Sequence, residues 1–266
     1  MVSPGSVAFT IFGLDIAWYG ILIATGFLLA GGIAYQRCPL HKVDQDHFLT
    51  FVIWLVPSII VGARAYYVLF RWDYYKENVD QILNIRGGGL AIHGGIIFGV
   101  LAAVLVCRYY KEKPLPLLDL VFTVLPLGQA IGRWGNFFNE EAHGMITDSP
   151  IAQIIDGVPY EPTFLYESVW CFLLFIFLMY YDTKKRKFDG STASLYLMLY
   201  SVERFFVEGL RTDSLMIGIL RQAQVFSIVL FLVGAALMLI QGKRNRKVKT
   251  EEVSAEPAED NKSGEE

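Results

Sequence analysis

The first 36 residues of the chain contain no lysine or arginine, and charged residues of either sign are scarce throughout. Its first basic residue is Arg37, and only 18% of its 266 residues are charged. Hydrophobic residues make up 54% of the sequence, above the roughly 45–50% that is usual for soluble domains. The apolar runs approach the roughly 20 residues that a helix needs to cross a bilayer. Because no basic region precedes the first run, a cleavable signal peptide is not expected. The sequence therefore predicts an integral membrane protein.

Several common catalytic patterns are also missing. Cys38, Cys107 and Cys171 have neither the spacing of a metal site nor a paired pattern, and we interpret them as small apolar residues. The sequence contains no HExxH, no GxSxG and no glycine-rich phosphate loop followed by Lys-Ser/Thr. Its basic residues flank apolar runs, so nucleic acid is not expected as a partner.

Seven apolar runs predict an all-α integral membrane protein with about seven transmembrane helices. Pro57 and Pro126 fall within the second and fourth runs, and membrane helices tolerate proline because neighbouring groups satisfy the freed backbone. The predicted spans cover about residues 15–36, 47–70, 90–110, 117–135, 163–181, 191–209 and 222–241.

Basic residues are concentrated in alternate connections between these spans. Because cytoplasmic loops carry an excess of Lys and Arg, we expect the amino terminus outside and the carboxyl terminus in the cytoplasm. The residues that set this orientation are Arg37, Lys42, Arg108, Lys111, Lys113, Lys184, Lys185, Arg186, Lys187, Lys243, Arg244, Arg246, Lys247 and Lys249.

Residues 1–242 are predicted to form one polytopic membrane domain, followed by a disordered cytoplasmic tail over residues 243–266. The tail is basic at first and then acidic, since residues 250–266 hold seven acids and a single base, Lys262. Such a charged segment with few apolar residues is typical of disorder.

Polar residues gather at the predicted outer ends of the spans. Ionisable groups are costly inside a membrane and usually face a protein interior or a watery cavity. We therefore predict a polar pocket in the outer leaflet. The residues concerned are Tyr19, His93, Arg133, Glu167, Arg204, Glu208 and Arg211, together with the polar stretch at 131–144.

Each of these residues allows more than one interpretation. Arg204, Glu208 and Arg211 share one helix face and either neutralise each other or leave one positive charge for an anionic ligand. His93 is either structural or a general base, because an imidazole titrates near neutral pH. Arg64 is best explained as a structural residue that pairs with a glutamate or extends to the interface.

The polar stretch has the same ambiguity. Asn136 and Asn139 either satisfy backbone groups at a helix end or bind a substrate. Glu141 either pairs with Arg133 or takes part in catalysis.

The stretch GRWGNFFNEEAHG (132–144) resembles the signature of the prolipoprotein diacylglyceryl transferases, which reads roughly G-R-x-G-N-F-x-N-x-E-x-x-G. Three further blocks also resemble this family: GGGLAIHGG around His93, PTFLYES around Tyr166, and ERFFVEGLR (203–211). The resemblance extends from WYG (18–20) through the last predicted span. The matching signature positions are Gly132, Arg133, Gly135, Asn136, Phe137, Asn139, Glu141 and Gly144.

The resemblance implies an enzyme of the bacterial cytoplasmic membrane whose active site faces the extracytoplasmic side. Such an enzyme transfers the diacylglyceryl group of phosphatidylglycerol to the lipobox cysteine of a prolipoprotein. A thioether forms and glycerol 1-phosphate is released, as the first step of lipoprotein maturation. No metal or organic cofactor is expected, because the leaving group is already a phosphate ester.

Under this interpretation, His93 is the expected general base and Arg133 and Arg204 bind the phosphate. Glu161 stands where several family members have histidine, which places more weight on His93. The predicted substrate-binding residues are Tyr19, Arg133, Asn136, Glu141, Gly144, Glu208 and Arg211.

Two other classes of function remain open at this point. A lipid or anion transporter without chemistry would also have seven spans and intramembrane arginines, but it predicts inverted repeats, and no internal repeat is evident. A structural lipid-binding scaffold would not need His93 at all.

Overall fold

The computed structural model describes residues 1–85, 88–212 and 216–255, and most of them are helical. The prediction of a helical membrane protein is confirmed. The structure also contains three short β-hairpins, which the sequence did not predict. The helices are α1 (Trp18–His41), α2 (Gln45–Phe70), the single-turn α3 (Trp72–Tyr75), α4 (Ile92–Tyr110), α5 (Pro114–Phe138), α6 (Thr163–Lys184), α7 (Ser191–Leu210) and α8 (Gln222–Ala255). Antiparallel hairpins pair β1 (Val7–Ile11) with β2 (Leu14–Ala17), β3 (Gln153–Ile155) with β4 (Val158–Tyr160), and β5 (Met216–Ile217) with β6 (Leu220–Arg221).

Within the described residues, six helices are long and apolar enough to cross a membrane: α1, α2, α4, α5, α6 and the Gln222–Val248 part of α8. The chain is therefore a multi-pass membrane protein. The remaining predicted span corresponds to α7, which carries Glu203, Arg204 and Glu208 and is less apolar as a result. The orientation of the termini stays a prediction.

Several helix boundaries differ from the predicted spans, and three of them change the description of the chain. Helix α1 starts at Trp18 rather than near residue 15, because the preceding residues form β2. Helix α5 continues to Phe138, so Asn136 also lies on the helix that carries Arg133. Helix α8 continues to Ala255, because the residues after Gly242 include good helix formers and neither glycine nor proline.

The extension of α8 changes the description of the tail. Residues 243–255 are helical, whereas we predicted disorder from residue 243. The remaining part of the predicted tail, residues 256–266, lies outside the described residues.

The described chain packs as two compact units. The first comprises residues 1–27 and the described part of 122–266, and the second comprises residues 28–121. The core of the first unit includes Leu174, Leu178 and Tyr196, where α6 packs on α7. The single membrane domain expected over residues 1–242 stays a prediction.

In the second unit, α2 packs closely against α4 through Gly62 and Gly94. A Cβ atom on Gly94 would collide with the carbonyl oxygen of Gly62 and with the Cβ atom of Tyr66. Small residues of this kind let membrane helices approach each other closely. This contact positions the start of α4, where His93 lies.

Arg64 of α2 organises the loop that precedes α4. Its guanidinium donates to backbone carbonyls of Gln81 at 2.6 Å, Ile82 at 2.8 Å, and Gly88 and Gly89 at 2.9 Å each. The side chain is buried, and these carbonyls replace the water that it loses. The contacts support a structural role for Arg64, but its partners are backbone carbonyls rather than the glutamate or the interface that we predicted.

Candidate active site

The candidate site forms in the first unit, where side chains of α5, α6 and α7 meet. Glu167 of α6 lies between two arginines: its Oε2 atom is 2.9 Å from Nη1 of Arg133, and its Oε1 atom is 2.5 Å from Nη1 of Arg204. Arg204 also pairs with Glu208, one turn later on α7, through an Nη2–Oε2 distance of 2.5 Å. The fold thus joins two of the predicted catalytic residues through a shared carboxylate.

The acids of this cluster are buried more deeply than the bases. The side chains of Glu167 and Glu208 are 2% and 6% exposed, whereas those of Arg133 and Arg204 are 20% and 17% exposed. A guanidinium has five N–H donors, and the ion pairs above use only part of this set. The arrangement can therefore hold two positive charges in place and still offer donors to an anion.

Hydrogen bonds between α5 and α6 fix the alignment of Arg133 with Glu167. The Ser168 hydroxyl donates to the Ala130 carbonyl at 2.8 Å and accepts from the Trp134 indole N–H at 3.1 Å. These contacts flank Arg133 on α5 and adjoin Glu167 on α6. The register of the two helices is set by neutral groups next to the ion pair.

The signature stretch folds into a compact turn at the end of α5. Asn136 and Asn139 both donate side-chain N–H groups to Oε1 of Glu141, at 2.9 and 3.4 Å. The backbone N–H of Glu141 donates to the carbonyl of Asn136 at 3.1 Å. We expected Glu141 as a partner of Arg133, but Arg133 pairs with Glu167 instead.

Gly144 joins the signature loop to the end of α7. Its backbone pairs with that of Arg211 in an isolated antiparallel bridge, and its N–H donates to the carbonyl of Glu161 at 2.9 Å. A Cβ atom on Gly144 would lie 2.6 Å from the Cβ atom of Glu161, so a larger residue would displace this contact. The substrate-binding role of Gly144 stays a prediction.

Tyr19 lies beside the signature helix. Its ring packs against Gly135 so closely that a Cβ atom there would collide with the ring. The tyrosine is 38% exposed and keeps part of its surface available. Tyr200 of α7 accepts a long hydrogen bond, 3.4 Å, from Nη2 of Arg133.

His93 lies in the first turn of α4, in the second unit. Its ring is tilted towards that of Tyr66, with 6.0 Å between the ring centroids. The structure thus brings Arg133, Arg204 and Glu208 together within one unit. That His93 reaches this cluster stays a prediction.

Two acidic residues of the site were missed by the sequence analysis. Glu167 was noted as an intramembrane acid but was given no role, although an acid near the start of an apolar span is the signal that identifies it. Glu203 was given no role either, although it begins the block ERFFVEGLR. It is 6% exposed, and neither of its carboxylate oxygens has a hydrogen-bond partner among the residues that the structure describes.

Glu161 stands at the edge of the site, just before α6. Its carboxylate accepts hydrogen bonds from the Tyr166 hydroxyl at 2.5 Å and the Thr147 hydroxyl at 2.7 Å. These hydrogen bonds lower the pKa of Glu161 below its usual value. A carboxylate with a lowered pKa is a weak base, so Glu161 is a poor substitute for a histidine in proton transfer.

Comparisons with known proteins agree with the signature. The family model described as prolipoprotein diacylglyceryl transferase matches residues 6–240. Curated proteins named phosphatidylglycerol–prolipoprotein diacylglyceryl transferase are similar over most of their length. The protein from Finegoldia magna is 50% identical over 88% of this chain and 94% of its own length. The one from Clostridioides difficile is 47% identical over 92% and 99%, and the one from Clostridium novyi is 48% identical over 90% and 97%.

Proposed function

The chain belongs to the prolipoprotein diacylglyceryl transferase family, and from that premise we propose that Arg133 and Arg204 bind the phosphate of phosphatidylglycerol. The chain is a membrane transferase that moves a diacylglyceryl group from phosphatidylglycerol to a prolipoprotein, the first step of lipoprotein maturation. The proposal is supported above all by one observation, that both arginines are held by the same buried carboxylate, Glu167.

The charge of the lipid headgroup accounts for the use of arginine. Phosphatidylglycerol carries one phosphodiester anion, and guanidinium groups bind phosphate oxygens through planar, often bidentate hydrogen bonds. As the bond between glycerol carbon and phosphate oxygen breaks, negative charge increases on the departing phosphate. Arginines that are already fixed by Glu167 and Glu208 stabilise this charge without rearranging.

The acceptor is the thiol of the lipobox cysteine in the prolipoprotein. Its ordinary pKa is about 8.5, and only the thiolate attacks efficiently. In the proposed reaction His93 removes the thiol proton, and the sulfur then attacks the glycerol carbon. The carbon–sulfur bond forms as the carbon–oxygen bond breaks, and the phosphate leaves as glycerol 1-phosphate. The proton on His93 then passes to the phosphate or to water.

The remaining predicted residues assist substrate binding in this proposal. Tyr19 donates a hydrogen bond to a lipid oxygen, and Asn136 with Glu141 orients the headgroup. Gly144 lets the signature loop approach Glu161 closely and so keeps the loop in place for the headgroup, and Arg211 adds positive charge at the end of α7. The reaction takes place on the extracytoplasmic side of the bacterial cytoplasmic membrane, where both substrates are embedded.

Purified protein in vesicles that contain phosphatidylglycerol tests the activity directly. A synthetic lipobox peptide should gain the mass of one diacylglyceryl group, and an equal amount of glycerol phosphate should be released. A peptide with serine in place of the cysteine serves as the control. If lipid disappeared or crossed the membrane without either product, the transporter class would be supported instead.

The base assignment has its own test, with a matched histidine as control. His93→Gln should lower the transfer rate by about 100-fold or more, the usual contribution of a general base. His47, whose Nδ1 atom is 2.7 Å from Oε1 of Glu112 in the second unit, offers the comparison His47→Gln. A near-normal rate for His93→Gln at normal protein yield would exclude His93 as the base.

A further inference from the structure

The hairpin of β1 and β2 has two chemically different faces. Because side chains alternate between the faces of a strand, the pairing of Phe9 with Ile16 and of Ile11 with Leu14 collects four apolar side chains on one face. The pair between them, Thr10 and Asp15, belongs to the other face. There the Thr10 hydroxyl donates to Oδ1 of Asp15 at 2.6 Å.

The apolar face is not covered by the described residues of this chain. Its four side chains are between 36% and 56% exposed, and Phe12 at the turn is fully exposed. Phe12 and Gly13 both have positive φ angles, 51° and 76°, which produce the tight turn between the strands. An isolated two-stranded hairpin has marginal stability in water, so this face requires a partner.

The base of the hairpin is attached directly to a membrane span. Strand β2 ends at Ala17 and α1 begins at the next residue, Trp18. The Trp18 N–H donates to the carbonyl of Ser6 at 2.9 Å, and its ring stacks on that of Phe138 with 5.0 Å between the centroids. The hairpin therefore has no linker that would allow it to move away from the membrane surface.

We propose that the hairpin lies in the membrane interface, with Phe9, Ile11, Leu14 and Ile16 against the acyl chains of phospholipids. Thr10 and Asp15 then face the headgroups and water. Helix α1, which follows the hairpin directly, also exposes apolar side chains in its first turns, where Ile23 and Phe27 are 46% and 37% exposed. Amphipathic elements bury their apolar face at this depth when charge is confined to the other face, and Asp15 is the sole charged residue between Val7 and Ala17.

Spin labels at single introduced cysteines test this orientation in the full-length protein. The substitutions are Phe9→Cys, Thr10→Cys, Ile11→Cys, Leu14→Cys and Asp15→Cys, each in vesicles of phosphatidylglycerol and phosphatidylcholine. The native Cys38, Cys107 and Cys171 are all buried, and the labelled wild-type protein measures their background. Accessibility to oxygen and to a water-soluble nickel complex gives the depth of each label.

The expected result is an alternation with a period of two residues. Labels at positions 9, 11 and 14 should lie deeper than those at 10 and 15, by about 5–10 Å, the burial depth of interfacial elements. Equal exposure of all positions to nickel would overturn the proposal. So would a depth that increases steadily towards position 12, which indicates insertion by the tip, or spin coupling that grows with protein density, which indicates a second copy. Transferase activity is measured separately, so a failure here leaves the proposed function untouched.

Discussion

Each of the two units holds an arginine largely within the protein, but the two arginines are surrounded by different chemistry. Arg64 in the second unit donates to four backbone carbonyls, which carry no net charge. Arg133 in the first unit pairs with Glu167, and the same carboxylate holds Arg204. Neutral acceptors use four of the five N–H donors of Arg64, whereas the carboxylates hold the guanidiniums of Arg133 and Arg204 and leave part of each exposed.

The difference separates a structural arginine from a candidate catalytic one. A guanidinium whose N–H groups are already used by the backbone has little to offer a ligand, and removing it leaves several carbonyls unsatisfied. A guanidinium fixed by a buried acid can bind an anion without first losing its orientation. Both are intramembrane arginines in the sequence, and their surroundings distinguish them.

The largest expected effect is on catalysis in the first unit. Arg133→Ala should lower kcat by about 100- to 1000-fold, as removal of one preorganised donor to a developing oxyanion does. Arg133→Lys should lose less, because the charge remains while the planar fork is lost. The measurement is glycerol phosphate release at matched amounts of folded protein. Wild-type kcat for both variants would remove Arg133 from the phosphate site.

The shared carboxylate gives the next largest effect. Glu167→Gln keeps the shape of the side chain but removes the charge that holds Arg133 and Arg204 together. Because a misplacement of about 1 Å costs roughly 100-fold in rate, we expect kcat to fall by about 10- to 100-fold. Single-turnover kinetics separate this loss from a change in lipid affinity. An unchanged rate would show that the arginines do not depend on their common acid.

The second unit should respond in stability rather than in chemistry. Arg64→Lys replaces a planar fork by one ammonium group, which cannot reach all four carbonyls. We expect a loss of about 2–3 kcal/mol in unfolding free energy, since each buried acceptor left unsatisfied costs about 1–3 kcal/mol. Thermal unfolding in detergent measures it. If Arg64→Lys had a normal melting temperature but lost as much rate as Arg133→Ala, Arg64 would have a catalytic rather than a structural role.

Glu203 offers the smallest and most informative change. Glu203→Gln replaces a buried carboxyl, whose oxygens have no hydrogen-bond partner among the described residues, by a neutral amide of nearly the same shape. We expect the KM for phosphatidylglycerol to change by less than about threefold, because burial without hydrogen bonds disfavours the charged form of a carboxyl, so the substitution removes little competing charge. Initial rates over a range of lipid concentrations give this value. A raised KM would indicate that the Glu203 carboxyl contacts the substrate itself.

The sequence predicted most of the fold because apolar runs identify membrane helices directly. It placed α2, α4, α6 and α7 within a few residues of their observed ends. It missed the β1–β2 hairpin, because residues 7–17 are nearly all apolar and read as the approach to the first span. The end of α8 was missed because a charged composition is also compatible with a helix.

The site was predicted in part. Arg133 and Arg204 were identified because intramembrane arginines are rare, and the signature motif named the first of them. The pairing of both arginines with Glu167 was not predicted, because spacing along one helix does not identify a partner on another helix. We therefore predicted Glu141, which is close in sequence, as the partner of Arg133, whereas in the structure Arg133 pairs with Glu167. Only local pairs, such as Arg204 with Glu208, follow from the helical repeat.

The most direct test of the central claim measures lipid binding without chemistry. Native mass spectrometry compares phosphatidylglycerol with diacylglycerol, which has the same acyl chains but no phosphate, on wild type, Arg64→Gln and the double variant Arg133→Gln, Arg204→Gln. The account predicts that wild type and Arg64→Gln prefer phosphatidylglycerol and that the double variant loses the preference. A folded double variant that still prefers phosphatidylglycerol as strongly as wild type does would contradict it.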